Sequence, residues 1–548
     1  MTMPIQALHD RVRRLRGVST RAASIAMWGL GVSGHAPTPR AALDRWLKSL
    51  HSKPLPAIEG HVLLSALRNP TWIEWAGYAA CVMRRMGFRT TILFSGRQVS
   101  AAELSWIPSN WRFWPGVSAI PDVALTDIDA WDDLSLTRCP RLEAAVNETV
   151  LAAVAYDYHT EEQDVVDDRS TFDAAVEALR ARNLRAGNGL YELLKRERFD
   201  TFVLMSGLIG ETPGLLHAAR EFKQPTVCVE GWAWRAGHMI YNHDAPALEY
   251  NISGWLDALG PWDAEKEREV DEYLKFVDGA SASDADWLES FYRVQRDAVS
   301  AILPDRVREF VTVPGTLLLA APNVVGDSSM LSRERCFRGQ RDWLQQLIAH
   351  VRMHPHVRLV VRAHPAEQWV GPVKCKFRIG DLASRLARDA PNVLVIGSEE
   401  PVNTFSLLPY ASAGLVYLSS AGAEMTARGL PVIAAGRPKY EGLGIVDEPP
   451  DAKSYFAAVQ AISSSPKRPS AAQIVAAKRY LHLVFRGFSF HAHGGNFRAT
   501  GLDLDHPESP QEHDAFFRII TGRAQGPDQK RPARVDSAMP FGRKNCRP

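Results

Sequence analysis

Four short segments in the carboxy-terminal half of this 548-residue chain carry side chains suited to holding a phosphate ester: NVVGDSS (323–329), RAHP (362–365), SSAGAE (419–424) and GRPKYEGLG (436–444). Pro365 biases His364 toward extended backbone and ends its strand, with Arg362 two residues upstream on the same face. That pair offers a cation or hydrogen-bond donors at a sheet rim; the plainer account is a capped strand end with a structural histidine. Ser419, Ser420 and Gly422 fall where a strand turns into a helix, so hydroxyls and free backbone N–H groups at a positive helix end could accept a phosphate. Ordinary serine capping competes with this. Glu424, in the first helical turn, would repel a phosphate and is expected to reach sugar or ribose hydroxyls instead, unless it only complements the helix dipole. Gly436, Gly442 and Gly444 around Tyr440 form a loop in which backbone could approach a ligand while the ring stacks, or a plain surface turn. Asn323 and Asp327 complete the donor-binding candidates.

Ligands of open parallel sheets bind outside the carboxyl ends of the strands, so these segments matter because strands are expected just before them. The carboxy-terminal half alternates TLLLAAPN (316–323), a helix at 338–352, VRLVVRAH (357–364), a helix at 380–389, NVLVIG (392–397), a helix at 403–410, AGLVYLSS (413–420), a helix at 421–428 and PVIAAG (431–436). The amino-terminal half reads HVLLSAL (61–67), a helix 72–87 closed by Gly87, TTILFSG (90–96), a helix 170–199, FVLMSG (202–207), a helix to Phe222 and PTVCVEG (225–231). Residues 100–150 show no clean period and are expected to be an insertion near the cleft mouth. Charged helices at 263–302 should cover the sheet or bridge the halves, Pro304 and Pro314 bracket a hinge, and 471–485 is the segment crossing back. The fold class is α/β, two Rossmann-like doubly wound domains facing across a cleft. Its divisions are an extension 1–55, an acceptor domain 56–305, a donor domain 316–465, a helical segment 466–521 and a disordered tail 522–548.

Apolar residues make up 46% and charged residues 23%, the profile of a globular enzyme, and a formal charge of +2 gives no field for nucleic acid. The six cysteines have no metal-ligand spacing, which suits free thiols in a reducing compartment. The apolar piece Ile25–Val32 contains Gly29 and Gly31 and is too short to span a bilayer, so a cytoplasmic location is expected. Two readings of Arg11, Arg13, Arg14 and Arg16 beside Trp28 stay open: a solvated terminal helix, or a basic stretch resting on anionic lipid at the inner face of the membrane.

The run NVVGDSS, VVRAHPAE and NTFSLLPYASAGLVYLSSAGAEMTARGLPVIAAGRPKYEGLGI resembles the bacterial capsule polysaccharide biosynthesis family, strongly over 316–460 and loosely over 60–250. The resemblance implies the GT-B architecture, a nucleotide-sugar as donor substrate with no separate cofactor, and a glycan or lipid-linked acceptor. His364-Pro365 and Ser419-Ser420 are similar to the HP and paired-Ser motifs with which Kdo and sialic acid transferases hold a CMP-sugar. The acidic-Gly motif that supplies the general base has its nearest counterpart in Glu230-Gly231, with Val229 where a further acid usually stands. The expectation is an inverting, metal-independent glycosyltransferase with Glu230 and His364 as catalytic residues; Glu211, His243 and Asp327 are substitutes for the base. Asp127 and Asp129 form a D-x-D for which no strand-end context is expected. A nucleotide-sugar epimerase, a glycerophosphotransferase or a non-catalytic glycan-binding component remain as alternatives.

Overall fold

The computed structural model describes residues 47–48, 50–51, 54–66, 70–94, 117–133, 136–231, 238–249, 252–278, 303–327, 330–368, 378–487 and 489–491. The basic amino-terminal stretch and the expected disordered tail lie outside the described residues. The first sheet is made of β1 (Gly60–Ser65), β2 (Phe88–Phe94), β3 (Val123–Asp127), β4 (Thr201–Met205), β5 (Thr226–Gly231) and β6 (His238–His243). The second holds β7 (Thr316–Ala321), β8 (Val357–Arg362), β9 (Val393–Ile396), β10 (Ala413–Val416) and β11 (Val432–Ala434), after which β12 (Ser489–His491) returns to the first. Strands β4 and β8 are buried at every residue, because helices cover both faces of a parallel sheet and reward unbroken apolar runs.

The spatial orders are β12-β6-β5-β4-β1-β2-β3 and β11-β10-β7-β8-β9. The second sheet is parallel throughout, and in the first only β6 and β12 run antiparallel to their neighbours. Each sheet starts at its centre, lays two strands to one side and then crosses to the other. That order creates a switch point between β1 and β4 in one half and between β7 and β10 in the other, the places where a doubly wound sheet leaves a crevice.

Of the expected insertion 100–150, residues 100–116 and 134–135 lie outside the described residues, and the rest holds β3 and the start of the helix Leu142–Tyr158, so that part belongs to the sheet and its helical cover. That helix shows no apolar stripe because it packs on the helices Arg169–Arg196 and Thr212–Phe222 together, so small apolar residues surround it. The proline-bracketed segment is not a bare hinge either. Pro304 precedes the helix Asp305–Val311, and Arg358 from β8 ties down the carbonyls of Phe310 and Val313. The stretch 404–410 is a 3-10 turn with Pro409 inside it, since proline cannot donate to an α-helical ladder.

The halves are joined by polar and apolar contacts. The helix Gln340–Arg352 begins at Gly339, which has no side chain to cap it. Glu161 from the amino-terminal half supplies the cap, its Oε1 accepting the Arg341 N–H at 2.9 Å, while the Arg341 guanidinium pairs with Asp164. Gly326 passes so close to the His159 backbone that a Cβ would sit 2.5 Å from His159 Cα, so only glycine fits there. On another side the helix Ala471–His482 packs on both Ala264–Val277 and Ala421–Ala427, with Lys478 Nζ at 2.9 Å from Asp271 Oδ1. Leu63, Leu204, Tyr273, Leu319, Val416 and Leu481 belong to one continuous apolar core. The four described cysteines are free thiols, and no described helix is long and apolar enough to cross a membrane.

Candidate functional site

A cavity of about 110 Å³ opens at the carboxyl edge of the second sheet, at the β7/β10 switch point. Ala321 and Pro322 line it after β7, Arg362, His364 and Pro365 after β8, and Ser419, Ser420 and Glu424 after β10, with Asn403 and Phe405 on the flank. Five residues spread over 62 positions of sequence, from Arg362 to Glu424, thus share one pocket. The volume is below the roughly 300–1,000 Å³ of sites that enclose a drug-sized ligand, so a whole nucleotide-sugar needs the walls to part.

His364 Nδ1 accepts the Ala366 N–H at 3.1 Å, which leaves the neutral ring's proton on Nε2. Burial, with the Arg362 charge adding to it, lowers the imidazole pKa to about 4. At neutral pH His364 is therefore an uncharged N–H donor at the cavity wall, not a cation. Arg362 borders the cavity but is 1% exposed, and its guanidinium is spent on backbone carbonyls. Its Nε donates to Val402 O at 3.0 Å, Nη1 to Ala363 O and Gly397 O at 2.7 and 2.6 Å, and Nη2 to Glu400 O at 3.3 Å. The expected phosphate ligand is thus a buckle that fastens the turn 397–402 around the cavity.

The helix Ala421–Ala427 does not offer a free crown of backbone donors as the sequence suggested. Gly422 N–H binds Ser419 O at 3.0 Å, Ala423 and Glu424 N–H bind Ser420 O at 3.0 and 3.3 Å, and Ala421 N–H meets the Ser419 hydroxyl at 3.3 Å. The Ser420 hydroxyl makes no hydrogen bond with the described residues and borders the cavity. Glu424 is 4% exposed, and burial pushes its carboxyl pKa up. Tyr273 Oη, from the bridging helix Ala264–Val277, donates to Glu424 Oε1 at 2.5 Å.

Tyr440 does not stack in the cleft. It is fully buried beneath the helix start, donating to Ser419 O at 2.7 Å. Gly422 is glycine for this reason: a Cβ there would strike the Tyr440 hydroxyl. Gly422→Ala is expected to cost about 1–3 kcal/mol by overpacking, and Tyr440→Phe should recover part of the loss in the double variant, as read from urea denaturation. Gly442 sits in an exposed turn with φ +76° and its N–H on Glu448, away from the cavity. Asn323 also works as a brace, accepting the Leu418 N–H at 3.1 Å and exchanging backbone bonds with Gln340.

Glu230 lies at the carboxyl end of β5, one residue before Gly231, in the first sheet. Ser206 Oγ donates to its Oε2 at 3.0 Å. Glu230 and Asp327 are both near enough to help raise the Tyr156 hydroxyl, after burial, and both act on Lys439, whose pKa burial and Arg333 lower to about 7. Exposed Asp327 also acts on His364. Lys439 reaches from the β11 loop to Leu248 O in the other half.

The substitute bases fare differently. Glu211 is 1% exposed, with its carboxylate beside Arg182 at 3.5 Å. His243 pairs with Val227 near the amino end of β5, while Glu230 pairs with Ile240 toward the carboxyl end. Asp127 does end a strand, contrary to expectation, but β3 is the sheet edge, four strands from β5, or about 19 Å at ordinary strand spacing. Among the described residues no group of three His, Cys, Asp or Glu could hold a metal ion. Ser206, Tyr273, Asn403 and Lys439 were not singled out from sequence. Only Lys439, inside the GRPKYEGLG segment, carried a local signal.

No sequence-family profile and no curated relative match this chain. Among solved structures it is similar to the β-Kdo 2,4-transferase of Thermosulfurimonas dismutans KpsC, with 17% identity and a TM-score of 0.31 over 51% of this chain and 79% of that one. It is similar also to the UDP-GlcNAc 2-epimerase of Neisseria meningitidis bound to UDP-GlcNAc, with 12% identity and a TM-score of 0.25 over 77% and 95%. A third is the glycotransferase of kitacinnamycin, with 14% identity and a TM-score of 0.25 over 81% and 98%.

Proposed function

We propose that the chain transfers a sugar from a nucleotide donor, CMP-linked, to a hydroxyl of a glycan or lipid-linked acceptor in the synthesis of a capsule or other surface polysaccharide. The observation that carries this reading is the cavity at the β7/β10 switch point, where the His364 N–H, the Ser419 and Ser420 hydroxyls and Glu424 meet. Neutral donors suit a departing phosphate oxygen, because they stabilise the charge that develops there without a prior ion pair. Glu424, held on one oxygen by Tyr273, has the other to accept a ribose or sugar hydroxyl.

In this mechanism a Glu230 oxygen takes the acceptor's hydroxyl proton as the acceptor's own oxygen bonds to the anomeric carbon. The bond from that carbon to the phosphate oxygen breaks, and its electron pair leaves on the phosphate beside His364 and Ser420. Attack on the face of the anomeric carbon opposite the departing phosphate inverts that centre, and the mechanism calls on no metal ion.

The test is stabilisation by ligand. CMP at about 100 times its Kd should raise unfolding free energy by about 2.7 kcal/mol, and His364→Ala or Ser420→Ala should weaken that response. Stabilisation by UDP or GDP and not CMP would reassign the donor. If no nucleotide or nucleotide-sugar stabilises the chain, the reading fails. Conversion of a free nucleotide-sugar without acceptor would favour the epimerase.

A further inference from the structure

We infer that Ser206 is a positioning residue that sets the geometry of the general base, an inference that rests on the assignment of Glu230 to that role. Ser206 lies at the end of β4, beside the switch point of the first sheet, and is fully buried. Its φ is +59°, a left-handed value that serine seldom adopts and that Gly, Asn and Asp tolerate better. The next residue, Gly207, has φ +84° and donates its N–H to Met205 O at 2.8 Å, closing a three-residue turn of the rare, strained hand.

The backbone groups of Ser206 and its neighbours are held in place. Ser206 N–H donates to Val229 O at 2.8 Å, Ser206 O accepts the Ala247 N–H at 2.9 Å, and Met205 N–H binds the Ser65 hydroxyl at 2.9 Å. The hydroxyl thus projects from a locked backbone onto Glu230 Oε2 at 3.0 Å. Val229, the residue before Glu230, is the one that accepts the Ser206 N–H, so the serine grips the strand end and the carboxylate together. A glycine would relieve the strain but would bring no hydroxyl. The strain is retained where it places a donor on one oxygen of the carboxylate and so fixes the carboxylate's orientation. Nothing in the β4–β5 packing requires the hydroxyl, because the neighbouring backbone groups are satisfied without it.

Ser206→Gly separates folding from chemistry. Its melting temperature should equal or exceed that of the parent chain, since the strained φ is relaxed. The kcat for CMP release from CMP-sialic acid or CMP-Kdo should fall about tenfold, with KM for the CMP-sugar unchanged. Ser206→Ala should lose the same rate, and in a Glu230→Gln background Ser206→Gly should add almost nothing. Wild-type kcat in Ser206→Gly, or a full additive loss on top of Glu230→Gln, would overturn the inference while the base assignment stands. A fully active Glu230→Gln would overturn the base assignment and this inference together.

Discussion

Glu230→Gln should lower kcat by roughly 10²–10⁴-fold, the usual contribution of a positioned general base, while nucleotide-induced stabilisation stays at its parental value. The amide is nearly isosteric and can still accept from Ser206, so the fold around β5 is kept and only the capacity to take a proton is lost. The effect should fall on kcat, because Glu230 is not among the residues that line the cavity proposed to hold the donor. Two outcomes would redirect attention. An unaltered rate would make exposed Asp327 the next base to test. A lost nucleotide response would mean that Glu230 belongs to the donor site. Initial rates with saturating donor, together with melting curves with and without CMP, separate these cases.

The second large effect concerns a residue that looks like a ligand and is built like a fastener. Arg362→Ala should destabilise the chain by about 3–5 kcal/mol, because several buried carbonyls lose their donor at once. Arg362→Lys should recover little, since an ammonium cannot reproduce the planar fork that reaches Val402, Ala363, Gly397 and Glu400. His364→Ala, by contrast, gives up a single bond to its own turn and should leave the urea midpoint almost unmoved while weakening nucleotide binding. If Arg362→Ala kept its stability and lost only nucleotide affinity, the guanidinium would have to be a ligand after all.

These two residues show what could be read from the chain in advance. The proline after His364 dictates where β8 stops, and the apolar runs of β7, β8 and β10 dictate a buried parallel sheet. From these the strand ends, and therefore the company of Arg362, His364, Ser419, Ser420 and Glu424, followed. Whether each polar group faces the cavity or the protein did not follow. Arg362 is consumed by carbonyls from a turn 35 to 40 residues later, and Tyr440 by a carbonyl 21 residues earlier, which no local pattern announces. β6 and β12 escaped notice because antiparallel additions at a sheet edge need only short, mixed sequences. Ser206 escaped for the opposite reason. Serine before glycine is an ordinary turn signal, and its meaning lies in the φ it is forced to adopt and in a carboxylate 24 positions away.

Glu161, which completes the start of the helix Gln340–Arg352, comes from 180 positions earlier in the chain. An emerging polypeptide therefore has its amino-terminal portion in hand as a mould before the later portion can finish its own leading helix. The amino-terminal and carboxy-terminal halves are not interchangeable cassettes. A chimaera that joins this carboxy-terminal half to a foreign partner inherits an open helix end unless the partner brings its own carboxylate to the same spot, so such a lineage is free to drift in the loops around the crevice but not by wholesale exchange of halves.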